Sequence, residues 1–291
     1  MIVVTGATGA LNGTTVDHLL ARLPAAEITV AVRHPERAAH LAGRGVTVRE
    51  GGDYADPRLH DAFEGADQLL LVSSNDPGSD AVDLHRRAIS AAVTAGVGRV
   101  LYTSHQGAAA TSPFVPAVVH AATERLLAES GLPWTSLRNG FYAHSLGWLL
   151  GGWEETGVVA VPGEGPVSWT AREDVAEAAA VLLTSPVPHD GPLTLTAGAA
   201  PTFAEVAATL SELAGRPVER VVVPPEDWVA ARVAAGQPEP VARFTLGIFQ
   251  AAAQDFFAGV DPALARLLGR EPRSAREVLA TTVTAGRRAP G

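Results

Sequence analysis

At 291 residues and 47% hydrophobic content the chain can bury one large core or two lobes, and no apolar run approaches the roughly 18 residues of a membrane span. It has no cysteine, which excludes disulfides, thiol nucleophiles and thiolate metal sites, and a net charge of −9 with scattered arginines argues against nucleic acid as a partner. All 22 of its lysine-plus-arginine residues are arginine, so no lysine can form a Schiff base or lower a neighbouring tyrosine's pKa.

The first predicted element is the apolar run Ile2-Val3-Val4, followed by Thr5-Gly6-Ala7-Thr8-Gly9-Ala10-Leu11-Asn12-Gly13 and a helical pattern through Val16, Leu19, Leu20 and Leu23. Strand, glycine turn and helix start stand in the order that a dinucleotide pyrophosphate needs. Gly6 and Gly9 let backbone N–H groups come close, Thr8, Ala10 and Leu11 complete the turn, and the helix N-terminus adds partial positive charge. Asn12 is the odd residue, occupying the third-glycine place where helix and strand pack closely. Because the chain begins directly on a core strand, with no charged leader or cleavage site, a cytoplasmic location is expected.

Alternation continues through the first half, with strands expected near 2–5, 28–32, 46–49, 68–72, 99–103 and 134–137. Helices are expected near 11–23, 35–42, 57–64, 79–95 and 117–130. Such alternation predicts βαβ units, and so an α/β fold with a doubly wound parallel sheet of the Rossmann type. The second strand ends in Arg33, 20 residues past Gly13, where an NAD-selective site would carry a carboxylate. A guanidinium there suits a 2′-phosphate, so NADP(H) is favoured over NAD; the alternative is a solvated arginine at a strand end. Asp53 is open to two readings, an adenine-facing loop residue or an Asx-turn. Ser73, Ser74 and Asn75 close the fourth strand with small polar groups fit to line a ribose or nicotinamide, although turn chemistry alone also places such residues there.

The fifth strand runs out through Thr103 into Ser104 and His105, near the carbon expected to react. A serine hydroxyl can hydrogen-bond a substrate carbonyl and a histidine can relay a proton, but no GxSxG context makes Ser104 a hydrolase nucleophile. His120 and Glu124 share a face of the next helix and do not make a metal site; the histidine is expected to face the cleft and the glutamate to bond backbone or cofactor. Arg138, counted with the cofactor-binding groups, opens the turn Arg138-Asn139-Gly140-Phe141-Tyr142 toward the substrate pocket. Tyr142 either holds a ring, donates a proton or packs the hinge.

Beyond this turn, Gly151-Gly152, Pro162 to Pro166 and Pro224-Pro225 break the chain into shorter pieces. Strands are expected near 192–196 and 218–223, and capping boxes at Thr170–Glu173, Thr202–Glu205 and Ser274–Glu277 mark helix starts. The expected division is a cofactor domain of 1–139 with 168–198 and a smaller α+β substrate lobe of 140–167 with 199–291. Trp148, Trp153 and Trp169 either line an aromatic pocket of that lobe or pack its core.

With these residues in place, the chain resembles the NmrA-like group of atypical short-chain dehydrogenases, and within it the NAD(P)H:quinone oxidoreductase type 2 branch. Carrying the resemblance are Thr5-Gly6-Ala7-Thr8-Gly9, Arg33, Gly52-Asp53-Tyr54, Tyr102-Thr103-Ser104, His120-x-x-Thr123-Glu124 and Leu137 to Tyr142. It continues through Arg172-Glu173-Asp174-Val175-Ala176, Gly215-Arg216-Pro217-Val218 and Gly269-Arg270-Glu271-Pro272-Arg273. The resemblance implies NADP(H) in a Rossmann lobe closed by a smaller carboxyl-terminal lobe. The Tyr-x-x-x-Lys pair of typical short-chain dehydrogenases is absent: where His120 takes the lysine's place, Pro116 stands in for the tyrosine. Hydride transfer to a quinone or similar conjugated, aromatic-like acceptor asks less of the protein than carbonyl reduction, because protons can come from water. Two other readings stay open: a non-catalytic NADP(H)-sensing regulator, and a biosynthetic reductase acting on a polycyclic or polyketide-derived ketone. An oligomer is compatible with all three.

Overall fold

The computed structural model describes residues 1–74, 76 and 78–286. Nine strands are present among them: β1 (Ile2–Thr5), β2 (Ile28–Val32), β3 (Thr47–Glu50), β4 (Gln68–Leu71), β5 (Arg99–His105), β6 (Trp134–Asn139), β7 (Val158–Val161), β8 (Gly191–Leu195) and β9 (Glu219–Val222). Seven form one sheet in the order β3-β2-β1-β4-β5-β6-β8, with every neighbouring pair parallel. The central strands are predominantly apolar because both faces are covered: all residues of β1 and β2 are buried. One face packs Val4, Val30 and Leu70 against Val16 and Leu19 of the helix Ala10–Leu20 and against Ala178–Ala180 of the helix Arg172–Thr184. The other packs Val3, Leu69, Leu71 and Val100 against Phe63, Ile89 and Leu127.

Strand order reverses beside β1, which pairs with β2 on one side and β4 on the other. A crevice opens at the carboxyl ends of the strands at such a switch point, and ligands of open α/β sheets bind there. The second lobe is built on a separate cluster in which Trp153, Trp169, Phe203, Trp228 and Phe249 are buried, beside the short parallel pair β7 and β9. Trp153 and Trp169 are therefore core residues, whereas Trp148 lies 51% exposed. Phe114, which caps the helix Val115–Glu129, and Ala117 within it belong to the same cluster, so the start of that helix joins the two lobes. Within the tail expected in the second lobe, Ala263 and Leu264 instead pack on the sheet side.

The capping boxes divide by their surroundings. Thr202 with Glu205 and Ser274 with Glu277 form as predicted, each pair exchanging side-chain and backbone bonds. Thr170 does not cap: its hydroxyl donates to the Ser168 carbonyl at 2.8 Å and accepts from the Ala197 amide at 3.0 Å, and the helix begins after Ala171. Next to it, the fully buried Asp174 carboxylate accepts from the Arg270 guanidinium at 2.9 Å and the Arg273 amide at 2.6 Å, and pairs with the Arg273 guanidinium. Two stretches that are far apart in sequence, Arg172–Ala176 and Gly269–Arg273, are thereby fastened together. No helix among the described residues is long and apolar enough to cross a membrane.

Candidate functional site

The glycine turn is shaped by its neighbours. Gly6 holds φ +64°, and a Cβ there would lie 2.8 Å from Val72 Cγ1, so both backbone and space demand glycine. The Gly9 amide closes the turn on the Gly6 carbonyl at 2.9 Å. The helix Ala10–Leu20 then starts with no side-chain cap and no acidic residue in its first turn. Its leading amides, at Ala10 and Leu11, and its partial positive charge remain available to an anion. Asn12 donates to the Thr5 carbonyl at 2.8 Å, tying the helix to the end of β1. The close approach expected at a third glycine falls one residue later, because a Cβ on Gly13 would sit 3.0 Å from the Ala7 carbonyl.

Beside the turn lies a cleft of about 320 Å³ lined by Gly6, Thr8, Arg33, Arg37, Tyr54 and Asp76, among others. Arg33 and Arg37 leave the end of β2 with His34 between them and form a cationic rim. Arg33 is 52% exposed and donates from Nη1 to Asp76 Oδ1 at 2.9 Å, while His34 pairs with Glu36. Tyr54 forms part of the floor, its hydroxyl donating to the Val72 carbonyl at 2.8 Å; burial pushes its pKa well above the ordinary phenol range, so it stays protonated. Asp53 accepts from the Ala55 amide at 2.9 Å in an Asx-turn, and its neighbours Gly52 and Tyr54 are the ones that line the cleft. Ser73 and Ser74 line it too: the Ser73 amide bonds Thr103 Oγ1 at 2.8 Å and the Ser74 amide bonds His85 Nε2 at 2.7 Å. Asn75 lies outside the described residues. A glycine cradle that a Cβ would fill, an uncapped helix start and a cationic rim together fit a dinucleotide carrying a 2′-phosphate.

Farther along the sheet edge, parallel register sets Ser104 of β5 opposite Arg138 of β6, with Ser136 two residues back on the same face. All three converge on the buried Glu124. Ser104 donates to Glu124 Oε1 at 2.8 Å and Ser136 at 2.6 Å, while the Arg138 guanidinium clamps both carboxylate oxygens. This changes two expectations: the Ser104 hydroxyl hydrogen is committed to Glu124 rather than to a substrate carbonyl, and Glu124 bonds side chains rather than backbone. Arg138 is paired with Glu124 and remains 29% exposed. Thr103 is likewise buried and serves Ser73.

His105 and His120 come together beyond β5, with stacked rings 6.3 Å apart. Around His105 stand Phe114, Phe141 and Phe257 at 5.7, 5.4 and 5.1 Å, a packed aromatic cluster. The Gly107 amide donates to His105 Nδ1 at 3.0 Å, so the neutral ring carries its proton on Nε2, which is buried without a partner. His120 Nδ1 meets the Tyr102 hydroxyl at 2.8 Å; with Tyr102 as donor, Nε2 keeps the proton. Burial lowers His105 to about 4 and His120 to about 3, so both are neutral at physiological pH. Tyr142 accepts from Asn139 Nδ2 at 3.1 Å, has Arg172 over its ring, and is held above the ordinary phenol range by burial. The two histidines are neutral, and among the described residues the only charged group set against these rings is the Arg172 guanidinium over Tyr142.

A profile of the NmrA-like family matches residues 1–265. The chain belongs to the NmrA-like family. Quinone oxidoreductase 2 of Escherichia coli (strain K12) is 38% identical over 245 residues, covering 83% of this chain and 84% of that protein. An NAD(P)H azoreductase of Xenophilus azovorans is 34% identical over 281 residues, or 95% and 96% of the two chains. The crystal structure of an NADPH-dependent quinone oxidoreductase from Escherichia coli, complexed with NADPH, superposes with a TM-score of 0.91 at 32% identity, covering 97% of this chain and 100% of that one.

Several groups at this NmrA-like site escape a linear reading. Arg37 carried a signal, since it is a second arginine four residues after Arg33 and lines the same rim. Phe257 carried none, because it reaches His105 only through the packing of the second lobe on the first. Tyr102 and His85 support the site through their hydrogen bonds to His120 and to Ser74, which the chain alone does not show.

Proposed function

We propose that this NmrA-like protein transfers hydride from NADPH to a quinone or a similar conjugated acceptor. Its kinship with the quinone oxidoreductase and the azoreductase makes it an NAD(P)H-dependent oxidoreductase with NADP(H) as cofactor. The observation that carries the finer reading is the sequence of environments along one sheet edge: an arginine-rimmed cleft, then an aromatic cluster around two neutral histidines, which we read as the acceptor's chamber. Gly6, Thr8, Gly9, Ala10 and Leu11 hold the pyrophosphate, Arg33 reads the 2′-phosphate, and Ser73 and Ser74 flank the path toward the chamber. Bound NADPH supplies the hydride. His120 offers Nε2–H to the acceptor oxygen that gains negative charge, and Phe114, Phe141 and Phe257 exclude water and align the ring. Tyr142, next to Phe141 in the chain and protonated, serves as a neutral donor, and the remaining proton comes from solvent. No step needs the missing lysine.

The test mixes purified protein with NADPH and a panel of quinones, azo dyes and aryl ketones, following loss of absorbance at the reduced nicotinamide band, with NADPH binding measured separately. Quinones are expected to turn over fastest, and His120→Ala and Tyr142→Phe to lower turnover far more than NADPH affinity. Tight NADPH binding with no turnover on any acceptor overturns the reading in favour of a sensor.

A further inference from the structure

The cationic rim carries an anion of its own. Arg33, the guanidinium placed to read a 2′-phosphate, is already bonded to the Asp76 carboxylate at 2.9 Å, and both residues line the same cleft as Gly6, Thr8 and Ser74. Asp76 is held at the cleft from its own backbone: its amide reaches Ser74 Oγ at 3.4 Å and its carbonyl receives the Ser79 amide at 3.4 Å. Arg37 lines the cleft with no ion-pair partner among the described residues.

Resting on the NADPH reading above, we propose that Asp76 is a specificity-determining residue, a carboxylate that occupies Arg33 in place of the 2′-phosphate and so narrows the preference for NADPH over NADH. An arriving 2′-phosphate must take Arg33 from Asp76 and then lie beside a like charge, which costs affinity. A ribose that lacks the phosphate meets no such cost, because its free 2′-hydroxyl donates to the carboxylate. Arg37 remains to hold the phosphate once Arg33 is shared. Asp76 thereby keeps NADH within reach of a site whose rim otherwise selects against it. Both partners are partly exposed, so the effect is moderate and weakens with salt.

Calorimetric titration of the unreacted protein, without acceptor, tests this with NADPH, NADH and the fragment adenosine 2′,5′-bisphosphate. Asp76→Asn is expected to tighten NADPH and the fragment by about fivefold to tenfold at low salt and to leave NADH unchanged or weaker. The gain is expected to shrink in an Arg33→Ala background, since the carboxylate then has no guanidinium to occupy. A preference for NADPH that Asp76→Asn leaves unchanged, or a gain of the same size with and without Arg33, overturns the proposal while the cofactor reading stands. A wild-type protein that binds neither NADPH nor the fragment overturns both. Unchanged melting temperatures of the variants exclude a folding defect as the cause of any shift.

Discussion

Arg33 and Glu124 both stand near strand ends, yet their work is opposite. Arg33 projects over half-exposed into the cleft, and its role reduces to one charge-assisted contact. A hydrogen bond to a charged group contributes about 1.5–3 kcal/mol, so Arg33→Ala is expected to weaken NADPH by about tenfold to a hundredfold. NADH affinity should change little, and calorimetry that finds equal loss for both nucleotides removes the phosphate assignment. Glu124 never meets the cleft, but it orders the ends of β5 and β6 through Ser104, Ser136 and Arg138. Glu124→Ala leaves the Arg138 guanidinium and two hydroxyls without their carboxylate, and breaking such a buried pair costs about 3 kcal/mol. Urea unfolding should show that loss. A further Arg138→Met should recover part of it, because the uncompensated charge is then gone. The positions of Ser104 and Arg138 could be read from the chain, but their engagement could not, since it depends on the register of two strands and the pitch of the helix between them.

Elements whose signals are local were legible; those that depend on distant partners were not. The runs Ile2–Thr5 and Ile28–Val32 announce themselves because both faces of the sheet are covered, which leaves one threonine in each as the only polar residue. β7 escapes because four apolar residues between Gly157 and Pro162 become a strand only by pairing with β9, an element of another segment. The helices Pro225–Ala234, Glu239–Ala253 and Ala263–Leu268 begin behind proline rather than a capping box, and proline marks a turn as readily as a first helical residue. Where the box is real it has a measurable value. Thr202→Ala removes the side-chain acceptor for the Glu205 amide at an exposed helix start, which costs about 1 kcal/mol. Thermal unfolding should register that loss with NADPH affinity unchanged. The same substitution at Thr170 should cost more, because that hydroxyl is buried and ties Ser168 to Ala197.

At the scale of the whole molecule, the chamber exists only because the lobes meet: Phe257 comes from the second, His105 and His120 from the first, and Phe141 from the turn between them. Its walls are therefore the least legible part of the site, while the cleft, built by one βαβ unit and the strand beside it, is the most legible. Folding takes three histidines out of water, His85 within the first lobe and His105 against Phe257 of the second among them. Burial lowers His85 and His105 to about 4 and His120 to about 3, whereas in the unfolded chain each titrates near the ordinary value of about 6.5. The unfolded state therefore binds more protons between those limits, so stability is full above about pH 6.5 and falls as pH drops toward 4. Each histidine contributes at most about 1.4 kcal/mol per pH unit within that window. Above about pH 5 the carboxylates stay ionised in both states, so urea midpoints measured from pH 8 to pH 5 isolate the histidines. The midpoint is expected to hold level from pH 8 to 7 and to fall from pH 6.5 to 5. In His105→Phe, which keeps the aromatic contacts and removes one titrating ring, the decline should be shallower. A midpoint that stays level down to pH 5 would mean that water reaches these rings and that the chamber is open in solution, and the hydride-transfer reading would then lose its water-excluding walls.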